Sequence, residues 1–133
     1  MTRRVALEWA ADHAAALEAD AGRLYVGGLG TGAALAAAAA LQARDRCWPA
    51  VAGQVLIQPD FHAYDGPGLD RSSRDVAPAT VIVFGRGPEI RDGLRYAARL
   101  REASVDVRVL HHDRLAHVVD DLALALRDVR VAA

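Results

Sequence analysis

Gly28, Gly30 and Gly32 alternate along the stretch Leu24 to Leu41, LYVGGLGTGAALAAAAAL, between a short apolar run and an alanine-rich one. Two chemistries use glycines in such a place. In the first, amides at a helix N-terminus cradle a pyrophosphate, and Gly28-x-Gly30-x-x-Ala33 fits the G-x-G-x-x-G/A fingerprint. In the second, a strained strand-to-helix turn, G-x-S-x-G, lifts a serine nucleophile above a sheet. The flanking glycines of that turn are present, and its apex is Gly30, which has no side chain. The dinucleotide reading fails at its next requirement, an acidic residue at the end of the following strand about 20 residues on. That strand ends LIQPD, where Gln58 holds the position and Asp60 comes only after a proline. No cofactor is expected.

Other residues have types that do chemistry. HHDRLAH holds His111, His112, Asp113 and His117, which are metal-ligating types. Their spacing is no recognised ligand motif, so the stretch reads as a polar loop at a strand end, and no metal is expected. DFHAYDGPGLD sets Asp60, His62, Asp65 and Asp70 after the second strand. Gly66, Pro67 and Gly68 equally mark that stretch as a turn-rich connection, and the two readings stand level. Ligands of open α/β sheets bind at the carboxyl ends of strands. A ligand site of Gly28, Leu29, Gly30, Thr31 and His62, with His117 nearby, is therefore expected at that end. As substitute nucleophiles, Thr31, Ser72, Ser73, Ser104 and Cys47 read as structural or solvated, because nothing in the sequence fixes a base beside them.

These residues need elements to hold them. Val5, Leu7, Trp9, Ala10, Ala14 and Leu17 recur at helical spacing, which predicts a first helix. Leu24–Val26 reads as a short buried strand, Gly27–Gly32 as the turn, and Thr31 to about Arg44 as a second helix with small side chains on every face. GQVLIQP and TVIVFG read as the next two strands. PEIRDGLRYAARLREA is a helix with Pro88 in its first turn. VDVRVLHH is a fourth strand and HVVDDLALALRDV a fourth helix. The first three strands lack an alternating polar face, as do strands covered on both sides in a parallel sheet. The fourth alternates more, like an edge. The expectation is one domain over residues 1–133: a three-layer α/β sandwich on a short, mostly parallel sheet of about four strands.

Composition narrows the function. The 133 residues are 53% hydrophobic and 25% charged, with a net charge of -1, and every basic residue is arginine. Such a balance is globular and carries no basic surplus to draw nucleic acid or an anionic membrane. Cys47 is the single cysteine, so no internal disulfide forms, which fits a reducing compartment. Glu8, Asp12 and His13 interrupt the apolar stretch after the first arginines, against a signal peptide. Charges break every run of about 18 apolar residues. A soluble cytoplasmic protein is expected, without nucleic-acid or membrane partners.

The order of segments resembles the hormone-sensitive-lipase-like family of α/β-hydrolase esterases. ALEWAADHAAALEADAGRLYVGGLGTGAALAAAAALQARDR is similar to the family's helix, strand and GDSAGGNLAAA elbow. GQVLIQPD is similar to its next strand. APATVIVFGRGPEIRDGLRYAARLREASVDVRVLHH is similar to its acid-bearing DPLRDEG segment with the helix and strand after it. The resemblance covers nearly all of this chain and the C-terminal half of the family domain, a truncated α/β-hydrolase fold. It implies that Gly30 stands at the nucleophile position, Gly87 at the acid position, and His117 at that of the histidine, a vestigial triad member. The family's oxyanion-hole loop belongs to strands ahead of the stretch matched here.

Glycine offers no hydroxyl to attack an ester, and an imidazole without an acid is not held in one tautomer. The resemblance thus implies a degenerate esterase-like domain without ordinary ester hydrolysis. The expected work is binding a small apolar ligand or acting as a partner in an assembly. The alternative is an enzyme that uses His117 in non-covalent acid–base chemistry, or one that keeps hydrolase activity with a partner subunit. In the family's larger sheet the strand Leu24–Val26 is an interior one. An unpaired apolar edge is an aggregation hazard, so a homodimer or a partner chain is expected to cover it.

Overall fold

The computed structural model describes residues 3–62 and 72–114, and the single positions 120, 122, 123 and 126. Helix α1 spans Arg3–His13 and is followed by strand β1, Tyr25–Leu29, and helix α2, Thr31–Arg46. Strands β2, Gly53–Ile57, and β3, Ala79–Phe84, come next, then helix α3, Arg91–Glu102, and strand β4, Val107–His112. The strands lie side by side in the order β1-β2-β3-β4, and every neighbouring pair is parallel. This is an α/β sheet with flanking helices, with β4 on one edge as its alternating sequence predicted, and β1 on the other.

One correction concerns β1. It does not stop at Val26 but runs through Gly27 and Gly28 to Leu29, so the turn is reduced to Gly30. The two glycines serve close approach, not reversal. A Cβ on Gly28 would lie 2.2 Å from the Gly32 oxygen, and one on Gly27 would lie 3.1 Å from the Val55 oxygen. The missing side chain at Gly28 lets α2 press onto β1, and the one at Gly27 leaves room beside Val55 of β2.

Helix α2 follows from its alanines. Ala33, Ala36, Ala37, Ala40 and Leu41 are buried against Leu56, Val81 and Val83 of the sheet. Ala39 and Ala43 meet Leu7 of α1 on the outer side. Methyl-sized side chains cost no rotamer entropy and allow the helix to sit between two layers. Helix α3 packs on the same face of the sheet through Tyr96, Ala97 and Leu100. On the opposite face Val55 and Ile82 pack with Ile57, Phe84, Leu110 and Leu122. Leu122 belongs to a helical stretch of which Asp120, Ala123 and Leu126 are also described, and it represents the third layer among the described residues.

The segment between β2 and β3 is pinned at both ends. Gln58 turns the chain with φ +45, and its side-chain amide bridges to Phe84, donating to the carbonyl at 2.9 Å and accepting the N–H at 3.0 Å. At the far end, Arg44 of α2 donates to the carbonyls of Ser72 and Arg74. No helix among the described residues is long and apolar enough to cross a membrane.

Candidate functional site

The carboxyl ends of β1, β2 and β3 converge on Gly30. Its backbone takes φ +62 and ψ −123, a conformation that L side chains rarely adopt. The N–H of Gly30 donates to the Ile57 carbonyl at 2.9 Å, locking the turn to β2. Its carbonyl accepts from Ala33, Ala34 and Asp60. The N–H groups of Thr31 and Gly32 lie ahead of the helical ladder, at the positive pole of α2. Where a Cβ on Gly30 would point, nothing among the described residues lies within 4 Å.

A second arm descends from β2. The N–H of Asp60 donates to Gly30 at 3.1 Å, and its Oδ1 accepts the N–H of His62 at 3.1 Å. The His62 ring reaches α3, with Nε2 3.3 Å from Oδ1 of Asp92. The other Asp92 oxygen accepts the Phe61 N–H at 2.8 Å. Asp92 is 13% exposed and His62 85% exposed, so the contact joins a partly buried carboxylate to an exposed imidazole. Asp92 stands in the first turn of α3, where the helix dipole favours a negative charge.

A third arm comes from β3. Glu89 folds back on its own turn, and Oε1 accepts the Gly87 N–H at 3.1 Å. Hydrogen bonds from the backbone of Glu89, Gly87 and Arg86 hold its carboxyl below the usual carboxylate range. A Cβ on Gly87 would lie 2.3 Å from Oε2 of Glu89, so the carboxylate fills the space beside that glycine.

These arms enclose a cavity of about 340 Å³ lined by Gly30, Asp60, His62, Glu89 and Asp92, among others. A neighbouring cavity of about 690 Å³ runs along α3 past Phe61, Arg95, Tyr96 and Arg99, and His62 and Asp92 line it too. The Phe61 and Tyr96 rings meet there at 5.0 Å. Burial raises the Tyr96 hydroxyl above its ordinary range, and that hydroxyl is buried with no hydrogen-bond partner among the described residues. The lining around Gly30 mixes the charged or titratable side chains of Asp60, His62, Glu89 and Asp92 with Pro59 and Pro88. A groove of about 360 Å³ between α1, β1 and α2 is lined almost wholly by apolar residues, Leu7, Leu24, Val26 and Leu35 among them.

Of the residues expected to form the site, Gly30 and His62 share one cavity. Thr31 is exposed at the start of α2. Gly28 faces α2 inside β1, and Leu29 is 58% exposed at the strand's end, so neither lines that cavity. His117, Asp65 and Asp70 lie outside the described residues. His111 donates to the Gly85 carbonyl at 2.7 Å, and Asp113 pairs with Arg86 at 3.0 Å, whose guanidinium holds its carboxyl below the usual range. Among the described residues, no group of three His, Cys, Asp or Glu is placed to hold a metal. Gln58, the residue where a ribose-binding acid would stand, spends its amide on Phe84. Sequence reasoning missed Asp92 and Glu89. Their signal was available as acids opening a helix after a strand.

Comparison with known proteins agrees with this architecture. The alpha/beta hydrolase fold family matches residues 3–75, and the chain belongs to it. Esterase LipI of Mycobacterium tuberculosis is 28% identical over 151 residues, covering 84% of this chain and 47% of that protein. A bacterial heroin esterase superposes with a TM-score of 0.77 at 23% identity, over 96% of this chain and 57% of its own. An esterase from Pyrobaculum calidifontis does so with a TM-score of 0.83 at 20% identity, over 98% and 59%. At those identities the structures speak for the fold alone. The chain spans about half the length of the relatives it matches.

Proposed function

We propose that this member of the α/β-hydrolase fold family has lost the acyl-enzyme chemistry of its esterase relatives and binds a small ligand at the carboxyl end of its sheet. The observation that carries the reading is Gly30. It keeps the backbone of a nucleophile-bearing turn, at φ +62 and ψ −123, and presents no hydroxyl or thiol there. Without a nucleophile the covalent intermediate cannot form, whatever histidine or acid stands nearby. The test is intact-mass spectrometry after incubation with an alkyl fluorophosphonate. No stoichiometric adduct is expected, and one adduct per chain would overturn the reading.

A second reading, assembly, is supported by the free edge of β1. Gly30 donates inward to β2. In a parallel ladder alternate residues bond to the same neighbour, so Tyr25, Gly27 and Leu29 aim their N–H and C=O groups outward. Beside them Leu29 is 58% and Leu35 41% exposed. A second copy or another chain pairing there would cover both features. Light scattering through the micromolar range tests it: a stable dimer supports self-pairing, and a monomer at every concentration removes it. The cytoplasm belongs to the same proposal, supported by the exposed free thiol of Cys47.

A further inference from the structure

The sheet ends at β1, and the space beyond that edge is roofed on one side. The Gly30 N–H donates inward to the Ile57 carbonyl at 2.9 Å, and the Leu24 carbonyl accepts the Ala52 N–H at 2.8 Å. Tyr25, Gly27 and Leu29 therefore direct their N–H and C=O groups away from the sheet, and among the described residues no strand pairs with them. Val26 packs among the alanines of α2, and Gly28 lies against Gly32 of the same helix, so α2 covers that face of β1. Along this face α3 lies over β3 and β4, and α2 over β1 and β2. Helix α1 comes next in the row. Its Leu7 packs on Ala39 and Ala43, and its Ala6 and Ala10 line the groove of about 360 Å³ together with Leu24, Val26 and Leu35. It stands over the place of a further strand.

We propose that this groove and the edge of β1 take an extended strand donated by a different polypeptide, apolar on the side that faces α1 and α2. The inference rests on the assembly reading and decides between its two partners. A strand lying there bonds to Tyr25, Gly27 and Leu29, and every second side chain enters the groove, as the period of two requires. Ala6, Ala10, Gly27, Gly32, Ala36 and Ala39 supply little bulk, so the groove takes side chains of valine or leucine size. On the opposite face the donated strand covers Leu29, which is 58% exposed. A second copy fits worse. A two-fold ladder between two β1 edges is antiparallel and keeps the same face of both sheets on one side. The second α2 would then lie over the second β1, in the space where α1 of the first copy stands. A strand that carries no helix on that face meets no such conflict. The fold accommodates more backbone than this chain holds: the chain spans 57% of the heroin esterase and 59% of the Pyrobaculum esterase.

The probe is a fluorescein-labelled nonapeptide of alternating valine and lysine, whose valines share one face and whose lysines keep it from pairing with itself. Expected is a saturable rise in anisotropy on titration with the whole chain, which alone scatters light as a monomer through the micromolar range. Methylating alternate amide nitrogens along one edge of the peptide removes its ladder donors and should weaken binding about tenfold or more. Leu35→Glu sets a charge at the groove from an exposed position, so it should melt as the parent does and weaken binding about tenfold. Leu94→Glu, equally exposed on α3, should leave binding unchanged. Binding indifferent to N-methylation or to Leu35→Glu overturns the inference. A dimer of the chain alone also overturns it and leaves the assembly reading standing through the second copy. A monomer that takes up no peptide overturns both.

Discussion

Two strand-to-helix turns flank the end of β2 at the carboxyl end of this sheet, and they are built in opposite ways. The turn from β1 into α2 is held by backbone alone: Gly30 N–H to Ile57, and Gly30 carbonyl to Ala33, Ala34 and Asp60. No side chain caps α2. The turn from β3 into α3 is filled by side chains. Gly85 takes φ +98 and donates to His112, His111 donates back to Gly85, and Glu89 folds over Gly87. One turn is rigid and leaves its apex open, while the other satisfies itself. The first leaves space, since among the described residues nothing lies within 4 Å of where a Gly30 side chain would point, and the second serves as a wall.

The contrast between the turns is most exposed to test at the glycines. Gly28→Ala should be the costliest change in either turn. Its Cβ would lie 2.2 Å from the Gly32 oxygen, 2.3 Å from the Gly32 carbon and 2.7 Å from the Ala33 nitrogen, all backbone. Strand β1 and helix α2 would have to part, at about 3 kcal/mol in overpacking and lost contacts, read as a lower urea midpoint. Gly30→Ala should cost less, about 2 kcal/mol, because it meets no atom and pays only for its backbone conformation. Should Gly30→Ala prove as costly as Gly28→Ala, the apex is not open and the contrast between the turns fails.

Much of this was legible in the sequence because it depends on short-range pattern. The alternation of apolar runs and helical periods marks the elements, and the missing polar face of the first three strands marks the parallel sheet. The strand–glycine–helix junction marks Gly30. The end of β1 was not legible, because Gly27 and Gly28 carry turn residues' names while acting as places of close approach to Val55 and Gly32. Asp92 could not be paired with His62 from sequence, since that contact depends on where α3 docks. His111 and His112 are metal-ligating types in a stretch read as polar and not as a ligand set, and both lie in β4, where neighbouring residues point to opposite faces of the sheet. Of Gly28, Leu29, Gly30, Thr31 and His62, which a topological argument without side-chain packing gathered at the carboxyl end of the sheet, Gly30 and His62 line one cavity.

The smallest expected effect lies in the second turn and sharpens what is meant by its being self-satisfied. The N–H groups of Glu89, Gly87 and Arg86 favour the charged carboxylate of Glu89, so the folded chain takes up that proton less readily than the unfolded one. This contribution to stability is therefore present above the ordinary carboxylate value and is lost as the pH falls through the lowered folded value. Glu89→Gln should accordingly lower the melting temperature slightly near neutrality and make its fall on acidification shallower by the same small amount, so that the two curves meet in acid. Asp113, lowered by Arg86, keeps its own share of the acid slope. A Cβ on Gly87 would meet only the movable end of the Glu89 side chain, at 2.3 Å. Gly87→Ala should thus push the carboxylate out and reproduce the acid behaviour of Glu89→Gln, and the double variant should add nothing. Additive effects would mean that Gly87 is needed for its backbone as Gly30 is, and the two turns would then be alike in the one respect that separates them.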